Sequence, residues 1–242
     1  LEKRGENPEC QKVFRIFANH HERWRAYLGL YNPWTVGKVR DLIREINPDV
    51  VHAYNIHQYL SYYCLKLAKE MGKTVFWTAR DTMSFTYGKL ATESYLEGLD
   101  SKMNFFDHLK QAQKRYNPLR NFLIRRYLKY PDKLFAVSNS LKRALEANGI
   151  KNTEVMYTGI DLADWKISPK LVKDFKKKHK LRGKKVIFFG GRISDLKGFE
   201  QINQAMVKIK KEIAEAHLLI AGSKGVGWLS GEELKAAYSA AD

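Results

Sequence analysis

Apolar and polar positions follow two periods along this chain from about residue 36 onward. Apolar residues spaced by three and four positions predict helices, and short apolar runs bounded by turn residues predict strands. The first part of the pattern gives, in order, helix 36–46, strand 49–54, helix 56–71, strand 73–79, helix 118–130, strand 132–138, helix 141–148, and a strand and turn over 153–161. This alternation is typical of parallel sheets built from βαβ units.

A second unit of the same kind is predicted toward the end of the chain. It comprises strand 185–190, helix 199–214, strand 217–222 and a last helix from Glu232. Between the two patterns, residues 164–183 lose their apolar periodicity and are rich in lysine. The sequence therefore predicts an α/β protein with two Rossmann-like parallel-sheet domains, both incomplete, that face each other across a ligand-binding cleft. We place them at residues 1–165 and 166–242.

The connection between the first strand and helix of the second domain is rich in glycine and cations. Gly190 and Gly191 end the strand and allow a ligand to approach the backbone closely. The free amides and the dipole of the next helix favour an anion, and Arg192 and Lys197 add two full charges. This grouping suits a diphosphate. The same spacing also describes an ordinary glycine turn followed by surface cations, so both interpretations stay open.

The chain is strongly basic, with 43 Lys and Arg against 26 Asp and Glu, which gives a formal net charge of +17. This excess favours an anionic partner such as nucleic acid, a membrane surface or a phosphorylated substrate. From Lys110 to Lys129, seven cations interleave with aromatic and aliphatic residues. We predict a basic helix there that contacts an anionic membrane. The alternative is an ordinary solvated helix face whose long side chains snorkel.

Cys10 and Cys64 have neither metal-type spacing nor a disulfide framework, which indicates a reducing compartment. No apolar run approaches the roughly 18 residues of a membrane span, and no signal peptide precedes the first polar residues. We therefore expect a cytoplasmic protein, either soluble or peripheral at the inner face of the membrane. Because the chain starts at Leu1 and stops at Asp242, directly after a predicted helix, we expect it to be incomplete.

Several segments resemble, in the right order, motifs of the retaining glycosyltransferases of family four, which have the GT-B fold. The run GGRISDLKGFEQ is similar to the family's G-R-x-x-x-x-K-G segment, whose Arg and Lys bind the donor diphosphate and match Arg192 and Lys197. The other segments are PDVVHAYNIH, AVSNSLKRALEANGI, VMYTGIDLADW and LLIAGSKG. The resemblance extends discontinuously from about Tyr31 to Asp242.

This resemblance implies an enzyme that transfers a sugar, with retention, from a nucleotide-diphosphate sugar to an acceptor hydroxyl. Arg192 and Lys197 would neutralise the leaving diphosphate, and Gly190, Gly191 and Gly222 would belong to the donor pocket. No metal is implied, because two cations at a helix N-terminus can replace the charge of a divalent ion. No other cofactor is expected.

Four residues are expected on the acceptor side of the cleft. His52, Arg80 and Asp81 lie at or just beyond predicted strand ends of the first domain, and Ser138 is assigned to the same group. Many members have Thr-x-His-Asp where this chain has Thr78 to Asp81, so Arg80 takes the position of the histidine. Arginine stays protonated and cannot act as a base, although it can hold a phosphate or a sugar hydroxyl.

We expect the catalytic residues to be Arg192 and Lys197 on the donor side and Arg80 and Asp81 on the acceptor side. The family's glutamate pair, E-x-G-x-x-x-x-E, holds the donor sugar and ribose. It is expected beyond Asp242, so the sequence as given lacks part of the donor pocket.

The expected partners are a nucleotide-sugar, an acceptor saccharide or glycolipid of the cell envelope, and an anionic membrane surface. The alternative class is a polyanion- or nucleic-acid-binding α/β protein without catalysis, which the charge supports. The sequence contains no nucleic-acid-binding motif, so nucleic acid is not expected. A dinucleotide oxidoreductase is disfavoured because no G-x-G-x-x-G opens a helix. The donor base, the sugar and the acceptor remain open.

Overall fold

The computed structural model describes residues 13–18, 21–191, 193–194, 197–222 and 225–242, and these form two compact units. The units divide between Thr158 and Gly159, seven residues before the boundary placed from the sequence. Each unit has its own parallel sheet and its own apolar core. The predicted α/β class with two parallel-sheet units is therefore confirmed.

The first unit contains one four-stranded sheet and most of the helices. Its helices and strands are α1 (Arg25–Leu28), α2 (Pro33–Ile46), β1 (Val50–Tyr54), α3 (Tyr63–Glu70), β2 (Thr74–Ala79), α4 (Glu93–Gly98), α5 (Phe105–Ala112), α6 (Arg120–Tyr127), β3 (Lys133–Ala136), α7 (Asn139–Ala147) and β4 (Thr153–Val155), with short 3-10 turns at Glu22–Trp24 and Gln113–Arg115. The strands are parallel in the order β1-β2-β3-β4.

The core of the first unit lies against one face of this sheet. Val75, Trp77 and Ala79 of β2 alternate toward that face, as a strand requires, and meet buried residues of four helices. These helix residues are Ile43 of α2, Leu65 and Ala68 of α3, Ile124 of α6, and Ala144 and Leu145 of α7. Because the strands are parallel, their carboxyl ends and the loops that follow them meet at one edge of the sheet.

The second unit is a βαβ crossover flanked by two further helices. Its elements are α8 (Pro169–Lys178), β5 (Lys185–Gly190), α9 (Phe199–Glu212), β6 (Ala216–Ala221) and α10 (Gly231–Ala240). Val186 and Leu219 face the side where α8 and α10 pack, with Phe175 and Ala237 in the same core. Phe189 points to the other side and contacts Phe199 at the start of α9, with 5.4 Å between ring centroids.

Three predictions about elements need correction. The helix predicted from residue 56 begins only at Tyr63, after a run of turns. The lysine-rich stretch 164–183 contains the regular helix α8, which the apolar pattern did not reveal. The cations from Lys110 to Lys129 do not lie on one basic helix, because α5 ends at Ala112 and α6 begins at Arg120.

Two further expectations concern the cysteines and the membrane. Cys64 is free and buried, and burial raises the pKa of its thiol to about 11, while Cys10 lies outside the described residues. Within the described ranges, no helix has the length and apolar character needed to cross a bilayer.

Candidate functional site

The glycine loop, residues 190–198, connects the end of β5 to the start of α9. A Cβ on Gly190 would come within 3.1 Å of the Phe188 ring, so the strand end has little room for a side chain. After the loop, Gly198 adopts a left-handed conformation with φ 71°, and α9 starts without any side-chain cap. Among the described residues, no side chain caps the first amides of α9, unlike those of many other helices of this chain.

A second glycine turn approaches this loop from the end of β6. Gly222 has φ 129°, and a Cβ there would lie 3.0 Å from the carbonyl oxygen of Gly191. The close backbone approach therefore requires glycine at this position. The predicted donor residues Gly190, Gly191 and Gly222 lie together at the carboxyl edge of the second sheet, where parallel sheets bind ligands.

Lys197 is the cation that the structure places at this loop. Its side chain is exposed, and its amide donates a hydrogen bond to the Ser194 carbonyl at 2.9 Å. Arg192, its predicted companion, lies outside the described residues. A lysine beside an uncapped helix N-terminus can neutralise an anion, because the lysine is positively charged and the helix dipole is also positive at that end.

The first unit has an open cleft of about 640 Å³ at the carboxyl edge of its sheet. We call it the edge cleft. It is formed by the ends of β2 and β3, the loops after β2 and α4, and helix α7. Its polar lining includes Arg80, Asp81, Thr82, Lys89, Tyr95, Asp100, Ser101, Ser138, Ser140 and Arg143. Three of the four residues predicted for the acceptor side, Arg80, Asp81 and Ser138, are thus brought together.

Cations outnumber carboxylates in the edge cleft. Arg80 and Lys89 are exposed, and their side chains have no hydrogen-bond or ion-pair partner within the part of the chain that the structure describes. Arg143 donates only a long hydrogen bond of 3.4 Å to Ser140. Ser138 accepts a hydrogen bond from the Leu141 amide at 3.1 Å and so caps α7. The cleft therefore offers free donors and positive charge to an anionic or hydroxyl-rich ligand.

His52 does not join this group. The sequence placed it at a strand end, which is wrong, because β1 stays paired with β2 through Tyr54 and His52 is its third residue. Its ring lies on the sheet face opposite the core, with Nε2 2.8 Å from Thr78 Oγ1 and Nδ1 2.9 Å from the Tyr54 hydroxyl. Burial lowers the pKa of His52. It is not among the residues that line the edge cleft.

A different histidine, His57, lies next to Asp81. Its Nε2 is 3.8 Å from Asp81 Oδ2, and its side chain is largely buried. Burial lowers the pKa of His57, against the opposing effect of the Asp81 carboxylate. The sequence analysis did not select His57, although it ends the PDVVHAYNIH segment. The contact joins the loops after β1 and β2, which no local pattern reveals.

The loop that carries Arg80 and Asp81 is anchored by two arginines from elsewhere in the chain. Arg120 donates hydrogen bonds to the Met83 carbonyl and to Asn121 Oδ1, and its guanidinium lies 4.7 Å from the centroid of the Tyr87 ring. Arg25 donates to the Tyr87 carbonyl at 2.7 Å. Arg120 is buried, so it is not one of the surface cations predicted between Lys110 and Lys129.

Within the described residues, no group of three or more His, Cys, Asp and Glu side chains is arranged to hold a metal ion. The candidate site therefore consists of two parts, each within its own unit: the glycine loop in the second unit and the edge cleft in the first. Both contain cations at the carboxyl edge of a parallel sheet.

Comparisons with solved structures support this fold. The chain is similar to a sucrose-phosphate synthase from Thermosynechococcus elongatus, with a TM-score of 0.62, 16% identity and coverage of 99% of this chain and 60% of that one. It is also similar to Anabaena HepE in complex with UDP-glucose, with a TM-score of 0.52, 16% identity and coverage of 89% and 56%. At this identity the similarity establishes the fold, and it confirms the GT-B class predicted from the sequence.

Comparisons of sequence identify the family. The chain is 36% identical to "Putative glycosyltransferase YtcC" of Bacillus subtilis (strain 168) over an alignment of 101 residues. The alignment covers 40% of this chain and 24% of that protein. The chain thus spans between about a quarter and three fifths of the length of the proteins it matches. The family described as Glycosyltransferase Family 4 matches residues 4–164. This match covers more than half of the chain, which therefore belongs to Glycosyltransferase Family 4.

Proposed function

We propose that the complete protein is a retaining glycosyltransferase that moves a sugar from a nucleotide-diphosphate donor to an acceptor hydroxyl. The observation that carries the proposal is the glycine loop, where Gly191 and Gly222 bring two strand ends together beside an uncapped helix and Lys197. Family membership and the UDP-glucose bound by HepE support a nucleotide-sugar as the ligand.

The chemistry at the glycine loop is stabilisation of a leaving group. As the bond from the sugar to the diphosphate breaks, negative charge grows on the phosphate oxygens. Lys197 and the amides of α9 stabilise this charge most strongly in the transition state. We assign the same role to Arg192 from its position in the motif. These cations take the place of a divalent ion in the proposal, so we expect turnover to persist in EDTA.

We assign the acceptor to the edge cleft. Arg80, Lys89 and Arg143 would hold a charged group of the acceptor, and Asp81 would orient its hydroxyl. Because Arg80 stays protonated, the proposal includes no protein base at that position, and the departing phosphate guides the incoming hydroxyl. A lipid-phosphate-linked or other envelope saccharide fits this charge. Such an acceptor would bring the enzyme to the cytoplasmic face of an anionic membrane.

The first test identifies the donor. Full-length protein is screened for thermal stabilisation by UDP-, GDP- and ADP-sugars, since a ligand that binds only the folded state raises the melting temperature. Release of nucleoside diphosphate from the donor so identified then measures turnover. Stabilisation by duplex DNA with no response to any nucleotide-sugar would favour the non-catalytic polyanion-binding alternative.

The second test removes the proposed charges. Lys197→Ala should lower turnover about tenfold to a thousandfold, the range for losing one charge-stabilising donor. Lys208→Ala, which removes an exposed lysine farther along α9, should leave it unchanged. Lys89→Ala and Arg143→Ala should retain stabilisation by the donor while slowing transfer. Full turnover in both Lys197→Ala and Arg192→Ala would overturn the donor-site assignment.

A further inference from the structure

Charge in the second unit is concentrated in one segment. Of the twenty residues from Lys166 to Lys185, ten are Lys or Arg and one, Asp174, is acidic. The rest of residues 159–242 has seven cations and nine carboxylates. The excess positive charge of this unit therefore comes entirely from α8 and the residues next to it.

Helix α8 presents part of this charge on a single face. Lys170, Lys173 and Lys177 recur at steps of three and four, so they project from the same side, and all three are exposed. The opposite side is fixed by the core, where Phe175 is 4% exposed. The lysine face of α8 is thus directed away from its own unit.

Two cations of the same segment are paired with carboxylates, whereas the three of the lysine face are not. Lys178 Nζ lies 2.6 Å from Glu233 Oε1, and Lys185 Nζ lies 3.1 Å from Asp242 Oδ1. The side chains of Lys170, Lys173 and Lys177 have no hydrogen-bond or ion-pair partner among the described residues. Their charges are available to an external anion.

An open hollow of about 770 Å³ adjoins the lysine face and shares Lys173 with it. Its apolar lining includes Trp165, Ile167 and Val172, and its cations are Lys166, Lys173, Lys176 and Arg182. Just before it in the chain, Ile160 and Leu162 are 64% and 74% exposed. Aliphatic and aromatic side chains therefore lie beside a dense group of cations.

We propose that the lysine face and the adjoining hollow form a docking surface for an anionic lipid bilayer. Cations attract anionic headgroups, and exposed aliphatic side chains with a tryptophan can enter the interface between headgroups and acyl chains. Nucleic acid is disfavoured because the exposed aliphatic side chains of Ile160 and Leu162 carry no charge that could pair with its phosphates. This inference deepens the membrane contact proposed above. It assigns that contact to the second unit rather than to residues 110–129, whose cations are divided between α5 and α6.

The test compares two triple charge reversals in the full-length protein. The first, Lys170→Glu, Lys173→Glu and Lys177→Glu, alters the lysine face. The second, Lys110→Glu, Lys114→Glu and Lys129→Glu, alters three exposed lysines of the stretch predicted from the sequence. Both variants change the net charge equally. Sedimentation is measured with phosphatidylcholine vesicles and with vesicles that also contain phosphatidylglycerol, and folding is checked by circular dichroism.

We expect the unaltered protein to bind only the anionic vesicles, less so as salt rises. Each lysine near such a surface strengthens binding about fivefold, so losing the three lysines should weaken binding roughly a hundredfold, and repulsion from the introduced glutamates should weaken it further. The matched variant should stay within about twofold. Equal losses in both variants, equal binding to neutral vesicles, or tighter binding to duplex DNA would overturn the proposal. Donor-induced stabilisation of the lysine-face variant, measured without vesicles, reports on the transferase function separately.

Discussion

At the scale of single residues, Arg120 shows how a residue in a basic run can have a structural role. It is 5% exposed. Its guanidinium donates one hydrogen bond to the Met83 carbonyl, in the loop after β2, and one to Asn121 Oδ1, in helix α6. Met83 lies 37 positions earlier in the chain, so no local pattern could reveal the contact. By anchoring this loop, Arg120 positions Arg80 and Asp81 at the edge cleft.

Replacing this arginine by lysine tests the anchoring role. Arg120→Lys keeps the charge but loses the planar fork, so one of its two acceptors is left unsatisfied in a buried place. We expect a loss of about 1–3 kcal/mol in the free energy of unfolding, measured by urea denaturation. The control, Arg126→Lys, alters an exposed arginine of the same helix and should cost less than about 0.5 kcal/mol. Equal effects of the two changes would contradict the role.

At the scale of elements, the apolar pattern predicted strands better than helices. Strand 185–190 was predicted to the residue, because Val186 to Phe189 form a continuous apolar run. Helix α8 was missed because it buries little more than Phe175, so lysines dominate its composition. Its start was nevertheless encoded by Ser168, which caps the helix, and by Pro169 in the first turn.

The turn after β6 is the element whose geometry depends most directly on glycine. Gly222→Ala would force a side chain into φ 129° and against the Gly191 carbonyl, so we expect a loss of about 2 kcal/mol or more. Gly183→Ala is the matched control, since Gly183 has φ 72° but open space around its Cβ position. It should cost about 1 kcal/mol. Thermal and urea unfolding measure both, and an equal or smaller loss for Gly222→Ala would show that the close approach is not required.

At the scale of the whole molecule, the sequence predicted the strands and the loops at their carboxyl ends but not which side chains meet there. The strand end and the helix start on either side of the glycine loop were predicted correctly, because the residues of this segment are contiguous. The edge cleft was predicted only in part, since Lys89 and Arg143 join Arg80 and Ser138 from separate elements. His52 was misplaced because it lies near the end of β1 but still within the part of that strand that pairs with β2. Long-range packing therefore accounts for what the sequence did not predict.

In both units, burial lowers the pKa of histidine side chains. The affected residues are His52, His57, His108, His179 and His217. Three carboxyls, those of Asp132, Glu233 and Asp242, have lowered pKa values because of hydrogen bonds and lysine partners. Since free carboxyls titrate near pH 4, these groups change the stability only at pH values well below the range in which the histidines titrate.

The protein should therefore lose stability as the pH falls below about 6.5. In the unfolded chain the histidines bind protons near that pH, whereas the folded state binds them only at lower pH. The unfolded state thus holds more protons in this window, and the free energy of unfolding rises with pH. Urea midpoints at pH 7.5, 6.5 and 5.5, at constant ionic strength, should decrease in that order. His57→Gln should reduce the dependence, because it removes one such group. A midpoint that stays constant or increases on acidification would show that the buried histidines do not control stability here.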